Sequence, residues 1–152
     1  MFKKILVPVD GSDASARGLD EAIKLAKSHG SQLRLLHVVN ELVLVSPLGP
    51  TLYFPDLIQS LRDGGRNILE TALKQAREQA LDAETVMEEI LGGRAANAIV
   101  EQAKRWPADV IVMGTHGRRG FGRMALGSDA EIVLRHTHVP VLLVRMPDSG
   151  NR

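Results

Sequence analysis

The stretch DVIVMGTHGRRGFGRMALGS, Asp109 to Ser128, carries three things in one run: a β-branched apolar segment, a loop with glycine at 114, 117, 120, 122 and 127, and a serine that opens a new apolar-periodic segment at Ile132, Val133 and Leu134. A buried strand, a glycine-rich turn and a helix is the arrangement in which several backbone N–H groups point at one anion, with the positive end of the following helix added. Arg118, Arg119 and Arg123 lie within the same loop and would complement di- or triphosphate oxygens. The plainer alternative is a solvated loop in which Ser128 serves only as a helix N-cap.

Working outward, Ile5 to Val9, Leu33 to Val39 and Val139 to Val144 read as further buried strands, and Thr85 to Leu91 as a weaker one nearer the sheet edge because Glu88 and Glu89 interrupt it. Helical spacing recurs between them. Leu19, Ala22, Ile23 and Ala26 form one face that stops at His29-Gly30, and Ala95 to Arg105 forms another that stops at Trp106-Pro107. A long amphipathic helix takes Leu57, Ile58, Leu61, Ile68, Leu69, Ala72, Leu73, Ala76 and Ala80 on one side despite Gly64-Gly65. Such alternation predicts an α/β fold, a doubly wound open parallel five-stranded sheet of order 3-2-1-4-5 with helices on both faces, over residues 1–146 with a flexible tail at 147–152. Ligands of such sheets bind beyond the carboxyl ends of the strands, at the point where the strand order reverses.

Composition narrows the partners. The 152 residues are 44% hydrophobic and 24% charged, as in ordinary globular domains. A formal net charge of +1 and 3% aromatics provide neither a phosphate-backbone footprint nor a stacking platform, so no nucleic-acid partner is expected. Without cysteine there is no disulfide, thiolate metal site or cysteine nucleophile. No apolar run approaches the roughly 18 residues of a membrane span, and the apolar start is closed by Asp10 rather than a cleavage site. The default expectation is a cytoplasmic protein without a membrane partner.

Catalytic motifs are missing: there is no G-x-x-x-x-G-K-[ST], no G-x-S-x-G and no catalytic residue is expected. His136 and His138, two apart, would share one face of a strand, but nothing nearby completes a metal site. Asp10 follows the first strand, where a carboxylate can share a cation with a phosphate or simply bond the turn Asp10-Gly11-Ser12. Asn40 to Pro55, with three prolines and eight apolar residues, reads as a loop packed on itself, with a lid or partner surface as the alternative.

The spacing G-x-x-G, nine residues, G-S from Gly114 to Ser128 resembles the ATP-binding signature of universal stress proteins. KILVPVDGS from Lys4, DVIVMGTHG from Asp109 and HVPVLLV from His138 resemble that family's first, fourth and last strands. The resemblance implies a stress-response regulatory protein that binds ATP, or AMP or ADP, with or without Mg²⁺ at Asp10. It places Pro8, Val9 and Asp10 along the adenosine, Val39 at the adenine, Met113 and Gly114 over the nucleoside, and Gly117, Gly127 and Ser128 toward the phosphates. By their place in the loop, Arg118 is a further phosphate candidate, and His116 is either another or a solvated loop histidine. It also implies a homodimer formed by the apolar edge strand Val139 to Val144. Slow ATP hydrolysis, an adenylating enzyme and a nucleotide-independent interaction module are the competing readings. One residue departs from the pattern: where ATP-binding members commonly have valine after Gly-Ser, this chain has Asp129. A like charge about 5 Å from a phosphate costs roughly 3 kcal/mol at an effective dielectric near 20, enough to take a micromolar ligand to about tenths of a millimolar.

Overall fold

The computed structural model describes residues 1–41, 55–115 and 126–147. Five strands, β1 (Lys4–Pro8), β2 (Gln32–Asn40), β3 (Ala83–Ile90), β4 (Val110–Gly114) and β5 (Val141–Val144), alternate with four helices, α1 (Asp13–His29), α2 (Pro55–Glu78), α3 (Ala95–Arg105) and α4 (Ser128–His136), among the described residues. The strands pair in parallel in the order β3-β2-β1-β4-β5, the predicted topology. No described helix is long and apolar enough to cross a membrane.

The two-residue period of each strand sorts the core into two layers. Ile5 and Val7 of β1 join Leu33 and Leu35 of β2 under α1 and α2, whereas Leu6, Leu36 and Ile111 face α3 and α4. α1 starts where the Ser12 hydroxyl accepts from the Ser15 amide at 3.1 Å, and it stops at Gly30, whose φ of 62° suits a residue without a Cβ. α3 occupies the predicted span and is closed by Trp106, whose amide donates to the Gln102 carbonyl.

Three expectations need adjustment. α2 runs unbroken through Gly64 and Gly65, but Leu57 is 46% exposed, and Ala80, counted on the helix face, lies past its end at φ 59°. His136 closes α4 and His138 lies in the turn that follows, so the two histidines share no strand face. Val139 and Pro140 precede β5 instead of belonging to it. Most of the Asn40 to Pro55 segment and the tail beyond 147 lie outside the described residues.

The tightest packing joins α1 to β4. A Cβ built on Gly114 would stand 2.6 Å from the Ala14 carbonyl oxygen, and one on Gly18 would stand 3.1 Å from the Gly114 nitrogen. Backbone meets backbone there, and neither neighbour can swing aside. Gly114→Ala should therefore lower stability by about 1–3 kcal/mol, read as a lower urea midpoint. Gly64→Ala, with open space around its Cβ in mid-helix, should raise stability by about 0.5–1 kcal/mol, read as a higher urea midpoint.

A pH dependence follows from the pair that ties α2 to β3. The Arg62 guanidinium hydrogen-bonds Glu89 and holds its carboxyl below the usual carboxylate range. Such a group adds stability above its unfolded value and loses it as the pH falls through its lowered folded value. The stability gap between wild type and Arg62→Gln should narrow across that acid window in urea titrations at stepped pH.

Candidate functional site

A cavity of about 510 Å³ opens at the carboxyl ends of β1, β2 and β4, where the strand order reverses. A depression of similar volume on α2 is lined by Glu70, Leu73, Lys74, Arg77 and Glu78 of one helix surface and reaches no strand end.

One wall of the cavity is the end of β1. The Val9 amide donates to the Leu36 carbonyl at 2.8 Å, and the Val9 carbonyl accepts from His37 Nδ1 at 2.8 Å. His37 is 8% exposed and lies against Gly65 of α2, where a Cβ would stand 2.7 Å from its ring. A buried carbonyl is satisfied in this way and the chain is held just beyond the last residue of β1. Asp10 then turns the chain: its Oδ1 accepts from the Ser12 amide at 2.9 Å, and its own amide donates to Ser15 Oγ at 3.3 Å. The turn reading of Asp10 is therefore realised, with the residue still on the cavity wall.

The opposite wall belongs to β4 and α4. The Thr115 amide donates to Val144, and the Gly127 amide donates to the Thr115 carbonyl at 2.6 Å, which returns the chain to the end of β4 after the glycine-rich loop. This bond commits the Gly127 N–H to the protein. The first bond inside α4 runs from the Glu131 amide to the Gly127 carbonyl at 3.0 Å, so the amides of Ser128, Asp129 and Ala130 precede it and lack intrahelical acceptors. Gly127 adopts φ −58°, open to any residue, and caps α4 without a side-chain bond, so Ser128 is the first helical residue and not the cap.

A third element reaches the cavity from the turn between β3 and α3. Gly92 and Gly93 have φ of 83° and 77°, and Asn40 at the end of β2 grips both, accepting from the Gly92 amide and donating to the Gly93 carbonyl at 3.3 Å each. Arg94 follows. Its Nη2 donates to Ser128 Oγ, and its Nε lies 3.8 Å from Asp129 Oδ1.

Pro8, Val9, Asp10, Met113, Gly114, Gly127, Ser128 and Asp129 thus converge on one cavity, as expected. Val39 does not. It is buried, while its neighbours Val38 and Asn40 line the cavity. His116, Gly117 and Arg118, with Arg119 and Arg123, lie outside the described residues. Sequence reasoning missed His37, Asn40 and Arg94. The glycine pair before a helix start at Ala95 was the available signal for the last.

The model of the universal stress protein family matches residues 1–145. Universal stress protein MJ0531 of Methanocaldococcus jannaschii is 39% identical over 150 residues, which span 97% of this chain and 84% of that relative. Among solved structures, that of MJ0577, described as a hypothetical protein, superposes with a TM-score of 0.82 at 26% identity and covers 98% of this chain and 99% of its own. A universal stress protein solved in complex with cAMP superposes with a TM-score of 0.67 at 26% identity, covering 95% of this chain and 97% of its own.

His37→Phe keeps a ring of similar size but leaves the Val9 carbonyl without its donor. It should cost about 1–3 kcal/mol, measured as a shift of the urea midpoint.

Proposed function

The chain belongs to the universal stress protein family, and from that premise we propose that it binds an adenine nucleotide, ATP or its AMP or ADP relatives, in the cavity between β1 and β4, as the ligand-responsive part of a stress-response protein. The observation that carries the reading is the convergence at the switch point of an apolar wall and three amides of α4 without intrahelical acceptors. Pro8, Val9, Val38 and Met113 supply surface for a nucleoside. The amides of Ser128, Asp129 and Ala130 supply donors for a phosphate, assisted by the positive end of the helix. The relative in complex with cAMP supports the ligand class. Asp10 stands on the same wall, and a Mg²⁺ travelling with a triphosphate would take its carboxylate together with phosphate oxygens, the usual donor set for that ion.

The same protein is proposed to dimerise through β5. This strand ends the sheet, and Leu142 on it is 42% exposed. Val141 and Leu143 pack partly against the α3–α4 layer, so Leu142 is the cleaner probe. Leu142→Lys should convert a dimer to a monomer by light scattering at micromolar protein, and a wild type that is monomeric there removes the assembly from the proposal.

Isothermal titration with adenosine, AMP and ATP tests the ligand, with inorganic phosphate release from ATP followed alongside to detect an enzyme. Wild type should bind AMP or ATP more tightly than adenosine. Gly127→Val should abolish nucleotide binding while leaving the melting temperature within about 2–4 °C, the shift of a 1 kcal/mol change in a domain of this length. Full nucleotide affinity in that variant would remove the phosphates from the α4 end of the cavity.

A further inference from the structure

Arg94 crosses the mouth of the cavity. It starts from a turn anchored to β2 by Asn40 and ends on the first two residues of α4, 34 positions further along the chain. Its contacts there are with Ser128 Oγ and the carboxylate of Asp129. The Asp129 side chain is 47% exposed, yet its Oδ1 is shielded from solvent and makes no hydrogen bond. Among the described residues, the guanidinium at 3.8 Å is the charge that faces it. A shielded carboxylate oxygen without a hydrogen bond is a costly state. The arrangement therefore places a guanidinium on an internal anion at the one place in the cavity where α4 offers three amides to an external anion.

Resting on the nucleotide-binding reading, we propose that the Asp129 carboxylate is an internal competitor for the ligand's phosphate, and that Arg94 exchanges it for that phosphate when a nucleotide binds. In the free protein the Arg94–Asp129 contact links the start of α3 to the start of α4 at the cavity. A phosphate arriving at the Ser128 and Asp129 amides takes the guanidinium, for which a phosphate offers the better bidentate partner. The cost of binding is then the Arg94 contact given up by Asp129, together with repulsion between the carboxylate and the phosphate. An uncharged nucleoside bears neither cost and gains nothing from Arg94. The pair thus sets how strongly the site distinguishes nucleotides from nucleosides, and it does so through the partner that Arg94 holds beforehand.

A double-mutant cycle separates this exchange from two independent charges. Arg94→Gln, Asp129→Asn and the combined variant are titrated with adenosine, AMP and ATP at one ionic strength, with thermal unfolding of each confirming the fold. Asp129→Asn should tighten AMP and ATP about 10-fold and leave adenosine within about 2-fold, the range expected of a partly exposed charge. Arg94→Gln should weaken the nucleotides only about 3-fold in wild type but about 10-fold in the Asp129→Asn background, because only there is the guanidinium uncommitted before binding. The double variant should return close to wild type. Independent effects would leave it about 3-fold tighter than wild type, and that result overturns the exchange. Equal changes for adenosine and ATP overturn it too, since a shape effect would not follow the phosphate. If adenosine and nucleotides bind equally and neither substitution alters that ratio, the exchange fails while adenine binding stands. If wild type binds none of the three ligands at millimolar concentration, the nucleotide reading itself is overturned and the exchange with it.

Discussion

The backbone of α1 lies directly on the last residue of β4, and the cavity depends on that contact. With hydrogen in place of a methyl at Gly114 and Gly18, the first turns of α1 settle against the strand end at distances too short for a Cβ at Gly114 and tight for one at Gly18. β1 and β4 are neighbours in the sheet, yet their following connections leave toward opposite layers, α1 on one side and α4 on the other. A crevice opens wherever adjacent parallel strands part company in this way. Had α1 stood further off, the Asp10 turn and Thr115 would not face each other across a cavity of nucleoside size.

Polar groups around the crevice are satisfied unevenly. The Val9 carbonyl, the Asp10 amide, the Ser12 amide, the Thr115 carbonyl and the Gly127 amide all have protein partners at 2.6 to 3.3 Å. These bonds stiffen the frame. The three leading amides of α4 stand outside that closed set, as helix geometry requires of any helix start without a side-chain cap. Rigid surroundings with donors at one point favour recognition of an anion without rearrangement of the backbone, and the adaptable element is the long side chain of Arg94.

The two edges of the sheet are treated differently. β3 carries Glu84, Glu88 and Glu89, each paired with an arginine of a neighbouring element: Arg34, Arg105 and Arg62. Charges along an edge discourage another strand from adding to it. The guanidinium of Arg34 also lies 4.6 Å from the Trp106 ring, which binds this polar layer to the apolar one beneath α3. β5 has no comparable cover among the described residues, and its side chains are apolar throughout. The asymmetry leaves one edge of the sheet charged and the other apolar.

The sequence by itself determined the alternation of strands and helices, the C-terminal end of α1 and both ends of α3. Those features rest on short-range physics: β-branched runs, a 3.6-residue period, glycine at Gly30, proline after Trp106. Even the run through Gly64 and Gly65 was legible, because the apolar stripe on either side outweighs the weak helix preference of two glycines. Only the tertiary structure decided that Val38 and Asn40, not Val39, face the cavity, since a period of two fixes alternation but not which face meets which layer until the register with β1 and β3 is set. Likewise the bonds of His37 to Val9, of Asn40 to Gly92 and Gly93, and of Arg94 to Ser128 join residues 28 to 53 positions apart. No local pattern encodes a partner at that separation. It is the crossing of the chain over the sheet that brings an arginine after two glycines onto the first residues of α4, and so turns the charge of Asp129 from an isolated anion into one half of a pair.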